Sequence, residues 1–286
     1  MKKILTNAFG DISQKAVIIL ILTGTLQLSK AQTGSIILNQ NDNAGTITRL
    51  IDSSSYSSIW NFTKTLTGWT STINYTISAP CPGTPTVYYA GQTYHTVQIG
   101  SQCWLVENLN VGTMIDSMQE QTNNGVIEKY CYNYDPANCA AYGGLYQWGE
   151  ALQYQYGATD TTSPIPSLSL IVQGICPGGW HIANYNEFDT LENTVSHDGN
   201  ALKAIGRGWA DYGRAGTNTS GFSALFVGIR YDDGSFGSLG EDAYFWSSPD
   251  IDAHWASFLQ LTNFSSNIAL INFYKVEGLS VRCVKD

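Results

Sequence analysis

The sequence predicts an α+β fold, and three observations carry the prediction. In "ANYNEFDTLENTV" (183–195), Asn184 is followed three residues later by Glu187, a capping-box pattern. Tyr185, Phe188, Leu191 and Val195 then recur near one face at helical spacing. Around this stretch lie short runs of strand-forming residues, among them "AYFWSS", "WASFLQL", "NIALINFY" and "LSVRCVKD", separated by turn-forming residues. Finally, the chain carries six cysteines, an even number that reads as a disulfide framework.

The chain opens with Lys2, Lys3 and Lys15 ahead of an apolar run from Ala16 to Leu26, with the small residues Ser29 and Ala31 beyond it. This pattern predicts an export signal over 1–31, cleaved near Ala31. The run is shorter than the roughly 20 residues a membrane-spanning helix needs, and no later segment replaces it. The mature chain is therefore expected to lack a transmembrane segment and to reside in the periplasm, at the cell surface or outside the cell.

The formal charge is −9, and loss of 1–31 removes more lysines than aspartates, so the remainder is more acidic still. Such a chain repels nucleic acid and anionic membrane surfaces, which are excluded as partners. Charged residues make up only 13% of the chain, so most of its polar surface is neutral.

Residues 32–84 hold short strand-like runs such as "GSIILN" and "STINYTI" and end in the turn-rich "APCPGTPTV". They read as a β-rich arm and linker, too short for a core of their own. From 85 to 286 a single domain is expected. Its first part, "VYYAGQTYHTVQIGSQCWLVENL", predicts strands joined at Ala90-Gly91 and turning again at Gly100-Ser101. Cys131 and Cys139 flank Asp135-Pro136, and so tight a loop around a proline turn favours a local bridge. A helix is predicted over Tyr185–Val195 and a shorter one over Ala201–Ile205. Within "GFSALFVGIRYDDGSFGSLG", Asp233-Gly234 predicts a two-residue hairpin turn.

Five blocks, in order, carry a resemblance: "HTVQIGSQCWLVENLNVGT" (95–113), "GGLYQWGEAL" (143–152), "GICPGGWHI" (174–182), "FWSS" (245–248) and "LSVRCVKD" (279–286). Over about 85–286 the chain resembles the Fibrobacter succinogenes major paralogous domain, a family of exported bacterial proteins. That family is similar to the C-type lectin-like fold and to the fold of formylglycine-generating enzymes, and it implies a location and an architecture without a reaction. The resemblance also implies a long-range disulfide from the start of the helix to the last strand, Cys176–Cys283. This leaves Cys81 and Cys103 as the third pair.

Cys176 and His181 sit close enough in sequence for a nucleophile and its base, but such chemistry needs a free, acidified thiol, and the staple accounts for Cys176 without one. Trp180 and His181 are then expected in the core or at the helix start. A formylglycine-type oxidation would need a reactive cysteine pair near the end of the chain, where Cys283 stands alone. The four histidines lack zinc spacing.

The lectin-like resemblance raises a loop calcium, for which Asp232, Asp233, Glu241, Asp242, Asp250 and Asp252 supply hard oxygens. However, neither Glu-Pro-Asn nor Trp-Asn-Asp occurs, and the hairpin turn already explains Asp232 and Asp233, so no cofactor and no metal is expected. Trp209, Tyr212, Tyr231 and Phe236, in the irregular segment 206–242, are the candidate ligand-binding residues, since such rings offer broad contact area for a glycan or an envelope protein. "FWSS" and "LYQW" read as core. The expectation is a non-catalytic binding module, with a structural role in the cell surface as the alternative and a cysteine-dependent oxidative enzyme after that.

Overall fold

The computed structural model describes residues 78–163, 171–208 and 213–286 in full, and within 1–77 only the backbone of short strands. The chain divides into two units, Met1–Ile77 and Ser78–Asp286. In the first, β1 (Ile18–Ile19) pairs with β2 (Gln27–Leu28), and β3 (Thr46–Ser53), β4 (Tyr56–Thr65) and β5 (Gly68–Thr72) form an antiparallel sheet. The cleavage site near Ala31, the run "GSIILN" and most of "STINYTI" lie outside the described residues.

In the second unit, the alternation in "HTVQI" sends Val97 and Ile99 to one face, as expected for a strand buried on one side. β6 (Thr86–Tyr89), β7 (Gln92–Ile99) and β8 (Gln102–Leu105) form successive antiparallel pairs, with Gly91 (φ 82°) and Gly100 (φ 59°) in their turns. The last strand, β17 (Cys283–Lys285), lies between β8 and β11 (Trp180–Ile182), giving the order β11-β17-β8-β7-β6.

A second sheet, β14-β15-β16, is a meander of Asp242–Asp250, Trp255–Thr262 and Ile268–Tyr274. Two small pairings complete the strands: β9 (Thr113–Met114) with β10 (Glu128–Lys129), and β12 (Ile229–Arg230) with β13 (Phe236–Gly237). The unit is thus α+β, mostly antiparallel, with few helices.

Helix α1 (Pro136–Tyr142) begins where the sequence dictates: the Asp135 carboxylate accepts from Ala137 N, and Pro136 takes the first turn, where its missing N–H costs nothing. A single turn, α2 (Trp148–Ala151), follows. Helix α3 (Tyr185–Thr194) has its capping box in place, Asn184 Oδ1 accepting from Glu187 N at 3.1 Å and Glu187 Oε2 from Asn184 N at 2.8 Å. Its inner face delivers Phe188 and Leu191 to one core, where Phe188 stacks on Trp104 of β8 at 5.6 Å and Phe222 meets Trp104 edge-on. A second core lies around Trp148, Trp246, Phe258 and the Cys176–Cys283 bond.

Two local predictions need correction. The helix over Ala201–Ile205 is replaced by a 3-10 turn at Gly199–Ala201, because the backbone beyond it is claimed from outside: Lys203 bridges Ala224, and Ala204 N donates to Ala224 O. The hairpin at Asp233-Gly234 is not a two-residue turn but a five-residue one, Tyr231–Ser235, closed by the Arg230–Phe236 pair. Only Gly234 has positive φ (82°) there, while Asp233 turns its carboxylate on Ser235 N instead.

Three disulfides, Cys81–Cys103, Cys131–Cys139 and Cys176–Cys283, engage all six cysteines. Cys81 lies inside the compact unit, which starts at Ser78.

Candidate functional site

Strand β11 leads from Cys176 into helix α3, and its register against β17 sets Ile182 opposite Cys283 and His181 opposite Val284. Cys176 and Cys283 are fully buried and bonded, so neither presents a thiolate. His181 is buried between two carboxylates: Nε2 lies 2.7 Å from Glu187 Oε1 and Nδ1 lies 2.6 Å from Asp286 Oδ1. Burial alone would lower its pKa, but the hydrogen bonds and charges of Glu187 and Asp286 outweigh that and hold it above the usual value. With a carboxylate on each nitrogen, the ring is an imidazolium clamp joining the C-terminal residue to the first turn of α3.

The acids of 232–252 are dispersed among local partners. Asp233 accepts from the backbone and hydroxyl of Ser235, Asp242 from the Tyr244 hydroxyl, and Asp252 from His254 N and Trp255 N. Asp250 pairs with Lys275 at 2.9 Å. Asp232 and Glu241 are exposed. Among the described residues no group of three or more His, Cys, Asp or Glu is placed to hold a metal ion.

The candidate aromatics separate. Trp209 and Tyr212 lie outside the described residues. Tyr231 is half-buried against the Trp148 core, and Phe236 is half-buried with its ring centroid 5.1 Å from that of Tyr132. Each ring thus has one side against core residues and part of its surface open.

A polar interior that sequence reasoning missed runs along the "LYQWGEA" block. The backbones of Tyr146 and Leu279 exchange both hydrogen bonds, and Trp148 N donates to Lys275 O, which aligns the block with the segment before β17. Gln147 and Gln121 exchange backbone and side-chain bonds at 2.7 Å each, and the Gln147 amide also donates to the Glu120 carboxylate and to Val276 O. Arg230, fully buried, donates to Ser117 O and Glu120 and lies 4.5 Å over the Tyr130 ring. Lys275, equally buried, pairs with Asp250, donates to Thr162 O and sits over Trp148.

Arg282 is different, since among the described residues its buried guanidinium makes no ion pair with a carboxylate. Leu105 O, Phe222 O and Asn108 Oδ1 cage it, and the Phe222 and Phe245 rings flank it. Burial pushes its pKa down to about 9, so it stays charged at neutral pH.

Two carboxylate oxygens in this region, Glu150 Oε2 and Glu277 Oε2, are buried without a hydrogen-bond partner. Burial raises both carboxyls, Glu277 to about 7 with the help of Asp232, and likewise lifts Asp160 to about 7. The available signal was polar residues interrupting apolar family blocks: Gln147 and Glu150 in "LYQWGEA", and Arg282 in "LSVRCV". The arrangement ties loops together through hydrogen-bonded polar groups, and burial of the orphan oxygens favours the protonated form of each carboxyl.

The family model described as the Fibrobacter succinogenes major domain matches residues 97–285, most of the chain. No curated protein and no solved structure matched in the corresponding comparisons.

Proposed function

The chain belongs to the Fibrobacter succinogenes major domain family, and from that premise we propose that it is an exported, non-catalytic binding module of a bacterial envelope, taking a glycan or a protein ligand. The observation that carries this reading is the complete pairing of all six cysteines in a loop-rich α+β unit, which suits an oxidising, extracytoplasmic compartment. No helix among the described residues is long and apolar enough to cross a membrane. The proposal includes cleavage of 1–31 near Ala31 and a C-type lectin-like arrangement. The latter is supported by the Cys176–Cys283 staple from the start of α3 to the last strand.

The non-catalytic part rests on chemistry. An oxidative enzyme using Cys283 needs a free thiol, and Cys283 is bonded and fully buried. The candidate surface is the segment 206–242, with Trp209, Tyr212, Tyr231 and Phe236 as its contacts. Saturable binding of the exported protein to an envelope polysaccharide or protein fraction, weakened by Trp209→Ala or Tyr212→Ala, is the expected result. Unaltered isotherms in both variants remove that surface. An envelope that yields no ligand at all favours the structural role instead.

A further inference from the structure

Outside the segment 206–242, among the described residues, an aromatic pair lies partly open to solvent. Trp255 of β15 and Tyr274 of the edge strand β16 are directly paired in register, with ring centroids 4.0 Å apart and planes tilted by 38°. Tyr274 is 46% exposed, and Trp255 backs its inner side. Two residues along β16, on the same face, Asn272 is exposed. Its Oδ1 accepts from the buried Ser257 hydroxyl at 3.1 Å, which engages the amide oxygen and leaves the NH2 as the donor of an exposed residue. In the turn before β15, the exposed Asp252 spends Oδ1 on His254 N and Trp255 N, which hold its carboxyl below the usual range. Its second oxygen is left as an acceptor. Lys275 follows Tyr274 but is buried beneath, engaged with Asp250, and offers no cation to this surface.

We propose that Trp255, Tyr274, Asn272 and Asp252 form a saccharide-binding platform for neutral glycans. A pyranose has an apolar C–H face and a rim of hydroxyls that both donate and accept. Here an aromatic face of fixed orientation is flanked by an amide donor and a carboxylate acceptor, which matches that pattern. The acidic chain and the absence of an exposed cation among these four residues select against anionic polysaccharides. Tyr274 is the contact ring and Trp255 a positioning residue. This inference rests on the binding-module reading and gives it a ligand class and a place.

The test is affinity electrophoresis and calorimetry of the disulfide-intact full chain with neutral polysaccharides (a β-glucan, a xylan, a mannan and a galactan), alongside capture of an envelope protein fraction. Wild type is expected to bind at least one polysaccharide. Tyr274→Ala should lose about tenfold or more in affinity, and Tyr274→Phe less than about threefold. Asn272→Ala should weaken binding, while Tyr88→Ala, which removes an exposed ring of β6 outside these four residues, should leave it unchanged. Polysaccharide binding that survives both Tyr274→Ala and Asn272→Ala, or is lost only with Trp209→Ala, overturns the platform and leaves the binding-module reading standing. So does capture of envelope protein without any polysaccharide binding. If wild type binds neither class, both readings fall.

Discussion

The ammonium of Lys275 lies 4.2 Å from the centre of the Trp148 ring, fully buried, and makes its ion pair with Asp250 from that position. The relationship joins the two halves of the unit's interior, because Trp148 N also donates to Lys275 O. Removing only the cation leaves a carboxylate with little solvent. Lys275→Ala is therefore expected to cost about 3–5 kcal/mol in chemical denaturation, and Lys275→Met with Asp250→Asn distinctly less. Equal losses in the single and double variants would mean that the cost lies in the ring contact and not in the orphaned charge.

Arg282 gives a second prediction. Its planar fork meets three acceptors, Leu105 O, Phe222 O and Asn108 Oδ1, between two phenyl rings. An ammonium cannot span these positions, so Arg282→Lys should destabilise the fold by about 2–4 kcal/mol and not behave as a conservative change. Thermal unfolding of the purified variant reads this directly.

The three bridges close loops of very different length, with sequence separations of 107, 22 and 8. Loop-closure entropy then ranks the double Cys→Ser variants. Loss of Cys176–Cys283 should cost about 4–5 kcal/mol, loss of Cys81–Cys103 about 3, and loss of Cys131–Cys139 about 2–3. Denaturation midpoints that reverse the first and last would assign the stabilisation to local geometry.

Stability should fall as pH rises from about 4 to just above 7. Asp160 and Glu277, raised chiefly by burial to about 7 each, hold protons that the unfolded chain has already released in this window. The folded state binds more protons, so the free energy of unfolding declines with pH. Glu277 contributes on the order of 3 kcal/mol of that decline. His181 adds to it with the same sign. Its imidazolium clamp is fully stabilising below the unfolded value of about 6.5 and is lost as pH rises through its raised folded value. Glu277→Gln should flatten the profile between pH 5 and 7, as followed by thermal unfolding.

Much of this architecture was legible because it is written locally. The Asn184–Glu187 box and the strand pattern in "HTVQI" depend on neighbours within a few residues, and each formed where expected, whereas Asp135-Pro136, read as a turn, opens helix α1. The failures came where distant chain intervenes. The 201–205 helix lost its hydrogen bonds to Ala224, and the Asp233-Gly234 turn was widened by the Asp233 bond to Ser235. Most of the polar interior was hidden for the same reason: nothing local marks Lys275 as buried, and although Arg282 interrupts the apolar "LSVRCV", the partners of both lie far off at Asp250, Asn108 and Phe222. Nor does a period-2 pattern reveal that the Tyr274 side of β16 remains open while Leu270, on the same face, packs against a core.

The most direct measurement is a disulfide map of the purified protein, by peptide mass spectrometry without reduction after alkylation of free thiols. The account predicts Cys176–Cys283, Cys131–Cys139 and Cys81–Cys103, with no alkylated cysteine. An alkylated Cys176 or Cys283 would contradict the staple on which the fold and the non-catalytic reading both rest, and would return Cys283 to consideration as a reactive thiol.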